Sequence, residues 1–356
     1  MRSSSGEHFI ALDHVRAAAA FMVFSWHFVH FASVPFAYTP VFFPLALLDE
    51  GHTGVALFMT LSGYLFAKLL DGKTIRYRSF LRNRALRLLP LLAVVVLMVG
   101  VQAVMHGGNL PFYVSMIAAG ALLPTLPNGG WSITAEFHYY LMLPVFLWLL
   151  RKSRWLPLLI VVVAIVIRAG IFHARGEVQT LAYWTIVGRI DQFTLGMIAF
   201  HFRSVVAGRH LVGGGALLLF AFFYWLFDLA GGFYQLPSYP SPSPLWIAMP
   251  TLEGAAYGAG IAWYESSFKP AGTGFSGFLG RMGCYSYSIY LLHFFVVEDA
   301  ARFIHSRVMD LSNFYVACAW AAVAFAAMYP VAWLSFRFIE EPFLRRRRPY
   351  AVAAGV

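Results

Sequence analysis

Two ionisable side chains, Arg16 and His27, interrupt the first long apolar stretch of the chain. They are 11 residues apart, about three turns of an α-helix, so both fall on one face roughly 16 Å apart along the axis. A cation near one end and an imidazole deeper in suit an elongated anionic substrate whose reactive end must reach a buried base. The alternative is that Arg16 extends its charged end to the surface and His27 is a packed core histidine. The spacing alone leaves both interpretations open.

A second polar group is the carboxylate of Glu136, which follows the turn signal Asn128-Gly129-Gly130. These residues predict a helix that begins near Trp131, with Glu136 in its first or second turn, close to the outer surface. A carboxylate there is stabilised by the helix N-terminus, which is the structural interpretation. The functional interpretation is a base, or a group that orients the hydroxyl of an acceptor.

A basic run extends from Arg76 to Arg87. It can bind anionic lipid headgroups, which charge alone favours slightly, or the phosphates of a nucleotide-bearing donor. No Walker or dinucleotide-binding glycine pattern accompanies it, and no metal-ligand spacing occurs, so we predict no metal site. The helical spacing of Tyr290 and His293, and the position of Arg189, suit either a site or contacts between helices.

The elements that must position these residues are membrane helices. The chain has 356 residues, of which 60% are hydrophobic and only 12% charged, with a mean hydropathy of +0.68. A soluble domain carries about 25% charged residues, so lipid must solvate most of this exterior. We predict an all-α integral membrane protein, a bundle of about ten transmembrane helices that forms one domain over residues 1–356. The predicted spans are 15–34, 52–70, 89–106, 132–150, 155–173, 181–201, 211–230, 245–263, 285–301 and 313–336.

The short apolar segment 110–124 is re-entrant, interfacial or an eleventh span, and basic residues help to decide. With ten spans, 20 of the 26 Lys and Arg residues lie on the cytoplasmic side and three lie outside. An eleventh span would move Arg151, Lys152 and Arg154 outside, so the positive-inside rule favours ten. We therefore expect a multi-pass protein of the cell inner (plasma) membrane, with both termini cytoplasmic. The net charge of +10 then reflects membrane topology, and we expect membrane lipid and no nucleic acid as a partner.

Six short motifs occur in order along the whole chain. They are Leu12-Asp13-His14-Val15-Arg16 followed by His27; residues 54–64; Arg82, Arg84 and Arg87 with Pro90; Trp131-Ser132 with Glu136 and Tyr139 or Tyr140; residues 285–293; and Glu341-Pro342-Phe343. Together they resemble the acyltransferase-3 family of membrane acyltransferases. Two departures are His14, where the family has Gly, and Tyr64, where it has Phe.

The resemblance implies transfer of an acyl group, acetyl above all, from cytoplasmic acyl-coenzyme A to a hydroxyl of a carbohydrate or glycan at the outer side. Acyl-coenzyme A is then the donor substrate, and no tightly bound cofactor is expected. The expected catalytic residues are His27 and Glu136. The expected donor-binding residues are Arg16, Arg82, Arg84, Arg87 and Arg189. The expected substrate-binding residues are Trp131, Tyr139, Tyr140, Ser62, Tyr290 and His293.

Two points about the mechanism stay open. His27 suits either a base for direct transfer or a transient acyl carrier. His27 is expected past the membrane midplane and Glu136 within about two turns of the outer surface, so both side chains can converge in one cavity.

Two other classes of protein also remain. One is a glycan or lipid transporter or flippase without acyl transfer, although the chain shows no internal repeat. The other is an inactive sensor or scaffold, against which the presence of Arg16, His27 and Glu136 argues.

Overall fold

The computed structural model of the protein describes residues 9–30 and 40–353, and this part of the chain is almost entirely helical. The α-helices are α1 (Ile10–Val29), α2 (Ala46–Asp49), α3 (Gly54–Leu70), α4 (Tyr77–Met105), α5 (Leu110–Ala119), α6 (Trp131–Lys152), α7 (Leu158–Arg175), α8 (Gln179–Trp184), α9 (Ile186–His201), α10 (Arg203–Val206), α11 (His210–Leu229), α12 (Leu245–Ser267), α13 (Gly274–Cys284), α14 (Ser286–Leu292), α15 (Val297–Arg307), α16 (Phe314–Ser335) and α17 (Glu341–Leu344). Short 3₁₀ turns cover Phe43–Leu45, Gly51–Thr53 and His293–Phe295, and a π-helical turn covers Phe336–Glu340.

Helix α3 lies at the centre of the bundle and packs against α1, α9 and α12. Its apolar window is 78% buried, whereas that of α7 is 17% buried. The outward residues of α7 are large and apolar, among them Val162, Val163 and Val166. Such a surface matches a helix that faces lipid rather than water.

Six helical stretches among the described residues are long and apolar enough to cross a membrane. They are Gly51–Leu70, Tyr77–Met105, Trp131–Lys152, Leu158–Arg175, His210–Leu229 and Phe314–Leu344. Each overlaps a predicted span, although the stretch predicted at 89–106 begins already at Tyr77 and the one predicted at 313–336 continues to Leu344. The protein is therefore an all-α, multi-pass membrane protein, and the structure does not extend the count of long apolar helices to ten.

The other four predicted spans differ for identifiable reasons. The span 181–201 is divided between α8 and α9 around Thr185, and the span 285–301 is divided by the 3₁₀ turn at His293. Charged residues lower the mean hydropathy of the other two helices, with Asp13 and Arg16 in α1 and two glutamates in α12. Helix α1 also begins at Ile10, five residues earlier than predicted, and residues 31–34 of that span lie outside the described part of the chain.

His14 is held inside α1 by two neighbouring elements. Its ring nitrogens lie 2.8 Å from the Tyr264 hydroxyl and 2.8 Å from the backbone carbonyl oxygen of Ser276. The histidine at this motif position therefore links α1 to α12 and α13.

The segment 110–124 contains the ten-residue helix α5. A helix of that length spans about 15 Å, half of the hydrocarbon core. Asn109 caps it, because its side chain accepts a hydrogen bond of 3.0 Å from the backbone N–H of Phe112. This geometry fits the re-entrant or interfacial alternative and not an eleventh span.

A small antiparallel ribbon joins two distant parts of the chain. Strand β1 (Lys73–Ile75) pairs with strand β2 (Ala351–Ala353), with Thr74 opposite Val352. The segment between α3 and α4 and the C-terminal segment therefore lie on the same side of the bundle.

Glycine permits the close contact between α3 and α9. A Cβ at Gly63 would overlap the backbone carbonyl of Phe193, and one at Gly196 would overlap that of Thr60. Small residues at such crossings let the helix backbones approach each other.

We predict that Gly63→Ala lowers the thermal unfolding midpoint of the protein in detergent. The added methyl must push α9 away, an overpacking cost of about 1–3 kcal/mol. Gly214→Ala in α11 is the matched control, because nothing lies within 4 Å of its Cβ position. An unchanged midpoint for Gly63→Ala would show that the crossing is looser than the structure indicates.

Candidate active site

A polar cavity of about 170 Å³ lies among α1, α3, α4, α6, α14 and the C-terminal segment. Its lining includes four arginines, which are Arg16, Arg84, Arg87 and Arg347. Two carboxylates, Asp13 and Glu136, face them within the same lining. The cavity is therefore strongly basic, as a binding site for an anion requires.

Aromatic rings surround the guanidinium of Arg84. Its Cζ lies 5.2 Å from the ring centroid of Phe66, 5.5 Å from that of Phe80 and 6.0 Å from that of Tyr140. Its Nε is buried and has no hydrogen-bond partner among the described residues. The rings stabilise the cation by cation–π attraction and fix its position in the cavity wall.

Arg16 enters the cavity from α1, where it pairs with Asp13 one turn earlier. Asp13 is buried, and the Cys284 thiol also donates to it at 3.4 Å. The pair fixes the direction of Arg16 on the cavity wall, and its role in binding the acyl donor stays a prediction.

Glu136 lies on the cavity wall in the second turn of α6. Its Oε1 accepts hydrogen bonds from the Tyr140 hydroxyl and from the Ser62 hydroxyl, the latter at 3.2 Å. No side chain caps the first turn of α6. The carboxylate is thus held by hydroxyl donors, and the structural interpretation of Glu136 as a helix cap has no support in these contacts.

His27 is bonded to a second histidine. Its Nδ1 lies 2.8 Å from the backbone oxygen of Val23 and 3.2 Å from Nε2 of His293. Nδ1 of His293 lies 3.1 Å from the backbone oxygen of Ile289. Because a backbone oxygen only accepts, these contacts fit a proton on Nδ1 of both rings. The lone pair of His27 is then on Nε2, the nitrogen that a base would use.

His27 and Glu136 do not line one cavity in this structure. Tyr290 connects their surroundings, since it lines the cavity of Glu136 and its ring centroid lies 6.2 Å from that of His293. The Tyr290 hydroxyl also donates to the backbone oxygen of Gly129 at 3.1 Å. The expected convergence in one cavity is therefore replaced by two polar regions that meet at Tyr290 and His293.

Several predicted site residues lie away from the cavity. Arg82 is exposed on α4. Trp131 packs on Trp184, with ring centroids 4.7 Å apart. Tyr139 stacks on Phe193 at 4.0 Å. Among the predicted substrate-binding residues, Ser62, Tyr140 and Tyr290 do line the cavity.

Arg189 belongs to a different buried network. It lies 3.7 Å from a carboxylate oxygen of Glu253 and donates to the backbone oxygen of Tyr183 at 2.8 Å. Glu253 also accepts from Thr53 at 2.6 Å and Tyr224 at 2.7 Å. These contacts join five elements of the bundle. Arg189, which was predicted to bind the donor, is absent from the lining of the cavity.

In the terminal motif, the carboxylate that is buried in the bundle is that of Glu340 and not that of Glu341. Glu341 lies near the surface, where Arg337 donates to it at 2.5 Å and Arg345 at 2.9 Å. Glu340 is the buried carboxylate, and it accepts a hydrogen bond from Ser288 on α14. The π-helical turn at this point rotates Glu340 toward the bundle, so Glu340 occupies the interior position.

Sequence reasoning missed the contribution of the C-terminal segment. Arg347 and Tyr350 both line the cavity. Arg347 belongs to a run of four arginines that indicated only a cytoplasmic tail. Because all four residues of the run are arginines, the sequence carries no signal of which one turns toward the cavity.

A further polar group contains two acidic residues, Asp49 and Glu50, and two histidines, His30 and His52. Glu50 is buried beside Nε2 of His52, at 2.9 Å, and accepts from the backbone N–H of Phe233 at 3.2 Å. Burial raises the pKa of Glu50 to about 7. His30 lies 3.3 Å from Asp49. The ring of His52 is buried.

Comparisons with known proteins point to one family. Residues 9–337 match the acyltransferase-3 family, described as "Acyltransferase domain". The exopolysaccharide production protein ExoZ of Rhizobium meliloti is 26% identical over 324 residues, which cover 86% of this chain and 93% of the relative. The acyltransferase MdmB of Streptomyces mycarofaciens is 25% identical over 346 residues, 87% of this chain and 86% of the relative.

A third relative is a protein of Staphylococcus aureus assigned as an O-acetyltransferase. It is 25% identical over 346 residues, which cover 83% of this chain and 53% of the relative. No solved structure gives a significant match. Because the family match covers nearly the whole chain, the protein belongs to the acyltransferase-3 family and is a membrane acyltransferase.

Proposed function

We propose that the protein transfers an acyl group, acetyl above all, from cytoplasmic acyl-coenzyme A to a hydroxyl of a glycan at the outer side of the membrane. The basic cavity carries this proposal, because it brings Arg84, Arg87 and Arg16 together beside Glu136. The relative named as an exopolysaccharide production protein supports a carbohydrate acceptor.

The proposed orientation places ten spans in the inner membrane, with both termini cytoplasmic. The basic residues support it, since most of them then lie on one side. The ribbon of β1 and β2 adds a structural reason, because it holds the C-terminal segment against the basic segment before α4. Both belong to the side on which coenzyme A is made.

The donor fits the charge of the cavity. Coenzyme A carries several phosphates, and arginine binds phosphate through paired N–H donors. Arg84 and Arg87 lie one turn apart on α4 and both line the cavity. Arg16 lies on α1, the helix that also carries His27. A donor whose phosphates lie beside α4 can therefore extend its thioester toward the region of Tyr290.

The chemistry requires a base and a way to stabilise the oxyanion. In direct transfer, Nε2 of His27 accepts the proton of the acceptor hydroxyl as its oxygen attacks the thioester carbonyl. The C–S bond then breaks, and the proton passes to the departing thiolate. In the alternative, Nε2 of His27 attacks the thioester carbonyl, the C–S bond breaks and coenzyme A departs as the thiolate. The acceptor hydroxyl then takes the acyl group from His27, and its proton passes to the thiolate. Glu136 lies on the cavity wall beside Ser62 and Tyr140, where its carboxylate can orient the hydroxyl of the acceptor.

The test is turnover by purified protein in detergent with acetyl-coenzyme A and a panel of glycan acceptors. Release of free coenzyme A together with an acetylated glycan is the expected result. A transporter or flippase would move its substrate in vesicles and leave acetyl-coenzyme A intact, and that outcome would overturn the proposal.

We predict that His27→Ala reduces turnover by ~10²–10⁴-fold, because removal of a general base has that effect. His106→Ala is the control, since His106 is exposed at the end of α4 and bonds only the backbone oxygen of Gln102 among its described contacts. Thermal unfolding of both variants checks their fold. Activity of His27→Ala within twofold of wild type would make His27 a packing residue.

We predict that Glu136→Gln also loses turnover, by about 10²-fold, because the ionised carboxylate that orients the acceptor hydroxyl is replaced by a neutral amide. The amide oxygen can still accept from Ser62 and Tyr140, so the wall of the cavity keeps its shape. Glu298→Gln is the control, as Glu298 lies exposed on α15 beside Arg302. If Glu136→Gln keeps most of its activity, the carboxylate only holds its two hydroxyl partners.

We predict that Arg84→Glu and Arg87→Glu raise the apparent KM for acetyl-coenzyme A by about tenfold or more, because charge-assisted contacts to phosphate are lost. The KM for the acceptor should change little. Arg82→Glu is the contrast, because Arg82 points away from the cavity and remains exposed. If all three reversals act alike and anionic lipid modulates them, the run binds lipid headgroups instead.

A further inference from the structure

The C-terminal segment after the family-matched region folds back onto the donor cavity. The match to the family ends at residue 337, whereas Arg347 and Tyr350 line the cavity. We propose that residues 345–350 complete the donor site, with Arg347 binding a phosphate of the acyl-coenzyme A. This inference rests on the proposed donor and assigns a binding role to a segment that the family comparison does not include.

The segment is held in place by specific backbone contacts. Asn83 on α4 is buried, and its amide donates to the backbone oxygen of Arg348 at 2.6 Å. The backbone N–H of Arg348 donates back to the Asn83 side-chain oxygen at 3.0 Å. The backbone N–H of Arg76 donates to the oxygen of Tyr350 at 2.7 Å, next to the β-ribbon. The segment is therefore a fixed wall of the cavity.

Arg347 shares the cavity lining with Arg84 and Arg87. Burial, followed by the charges of Arg87 and Arg84, lowers the pKa of Arg347. Burial is the larger cause of this shift, and the smaller contributions of Arg87 and Arg84 are repulsion between like charges. A bound polyanion replaces this repulsion by attraction, so the site favours a ligand that carries more than one phosphate.

The side chain of Tyr350 packs behind the same wall of the cavity. It is buried and packs on Phe80, with ring centroids 5.5 Å apart. The Cζ of Arg84 lies 5.9 Å from the Tyr350 ring centroid. Tyr350 thus completes the aromatic surroundings that fix Arg84, so the same segment positions one phosphate-binding arginine and supplies another.

The neighbours of Arg347 provide the contrast within the run of arginines. Arg346 is exposed and lies 5.6 Å from the ring centroid of Phe343, outside the cavity lining. The run therefore presents one arginine inward and others to the surface. A segment that acted only through its net charge would not distinguish Arg347 from Arg346.

The experiment compares Arg347→Ala with Arg346→Ala in the full-length protein in neutral detergent. Equilibrium dialysis measures binding of coenzyme A, and initial rates give KM for acetyl-coenzyme A and for acetyl-pantetheine, which lacks the phosphates. Arg347→Ala should weaken coenzyme A binding by roughly 10- to 100-fold and raise only the KM for acetyl-coenzyme A. Arg346→Ala should match wild type.

Further variants test the attachment of the segment and the need for the guanidinium of Arg347. Asn83→Ala releases the contacts to Arg348 and should raise the KM for acetyl-coenzyme A in the same way. If Asn83 acts through Arg347, the double variant should be no worse than the poorer single variant. Arg347→Lys, which keeps the charge without the paired donors, should fall between wild type and Arg347→Ala.

Three results would overturn the inference. Equal coenzyme A binding by wild type and Arg347→Ala would remove the phosphate contact. An equal rise in KM for both acetyl donors would make the segment a purely structural support. If Arg347→Ala no longer binds nanodiscs of anionic lipid but still binds coenzyme A as wild type does, Arg347 binds a lipid headgroup instead. Wild-type protein that binds no coenzyme A would overturn the proposed donor as well, which distinguishes the two failures.

Discussion

The cost of holding charge among apolar helices governs this structure. An ionisable side chain within a membrane bundle must be paired, solvated or used. Arg168 and Asp191 meet that requirement as a fully buried pair at 2.7 Å. Arg189 and Glu253 meet it through a network of hydroxyl and amide groups. In both cases the charges are neutralised within the protein, so these groups hold α7, α9 and α12 together and take no part in the cavity.

The arginines of the cavity are arranged differently. Arg84 is surrounded by aromatic rings, which stabilise a cation without cancelling its charge. Arg347 is brought beside it by the C-terminal segment, at a cost in repulsion. A protein gains nothing in stability from gathering such groups, since like charges oppose folding. The lining nevertheless holds four arginines against two carboxylates, an excess of positive charge that an anionic ligand would balance.

The sequence predicted the helical class and the family, because hydropathy and motif spacing report on individual helices. That Arg16, Arg84, Arg87 and Glu136 line one cavity is a finding of the structure; the only convergence expected from the sequence was that of His27 with Glu136. The sequence did not predict which face of α4 turns inward, so Arg82 was grouped with its neighbours. It also placed Arg189 with the donor, although its partner Glu253 is far away in the chain. Such contacts depend on packing between elements that are distant in sequence. The interruption of a predicted span at His293 likewise depends on its surroundings, since residues 285–301 read as one apolar run.

That interruption lies where the two polar regions meet. Helix α14 ends at Leu292, and the 3₁₀ turn places His293 against His27 while Tyr290 remains on the cavity wall. Irregular backbone is tolerated within a membrane bundle where protein or a polar cavity surrounds it. A continuous helix would keep Tyr290 and His293 on one helical face at i,i+3 spacing. Leu292 and His293 both have right-handed helical dihedrals, so this spacing is preserved. Tyr290 lines the cavity, His293 contacts His27, and the ring centroids of Tyr290 and His293 lie 6.2 Å apart. Helix α14 and the residue that follows it therefore carry, on one face, both a part of the cavity wall and the contact to His27.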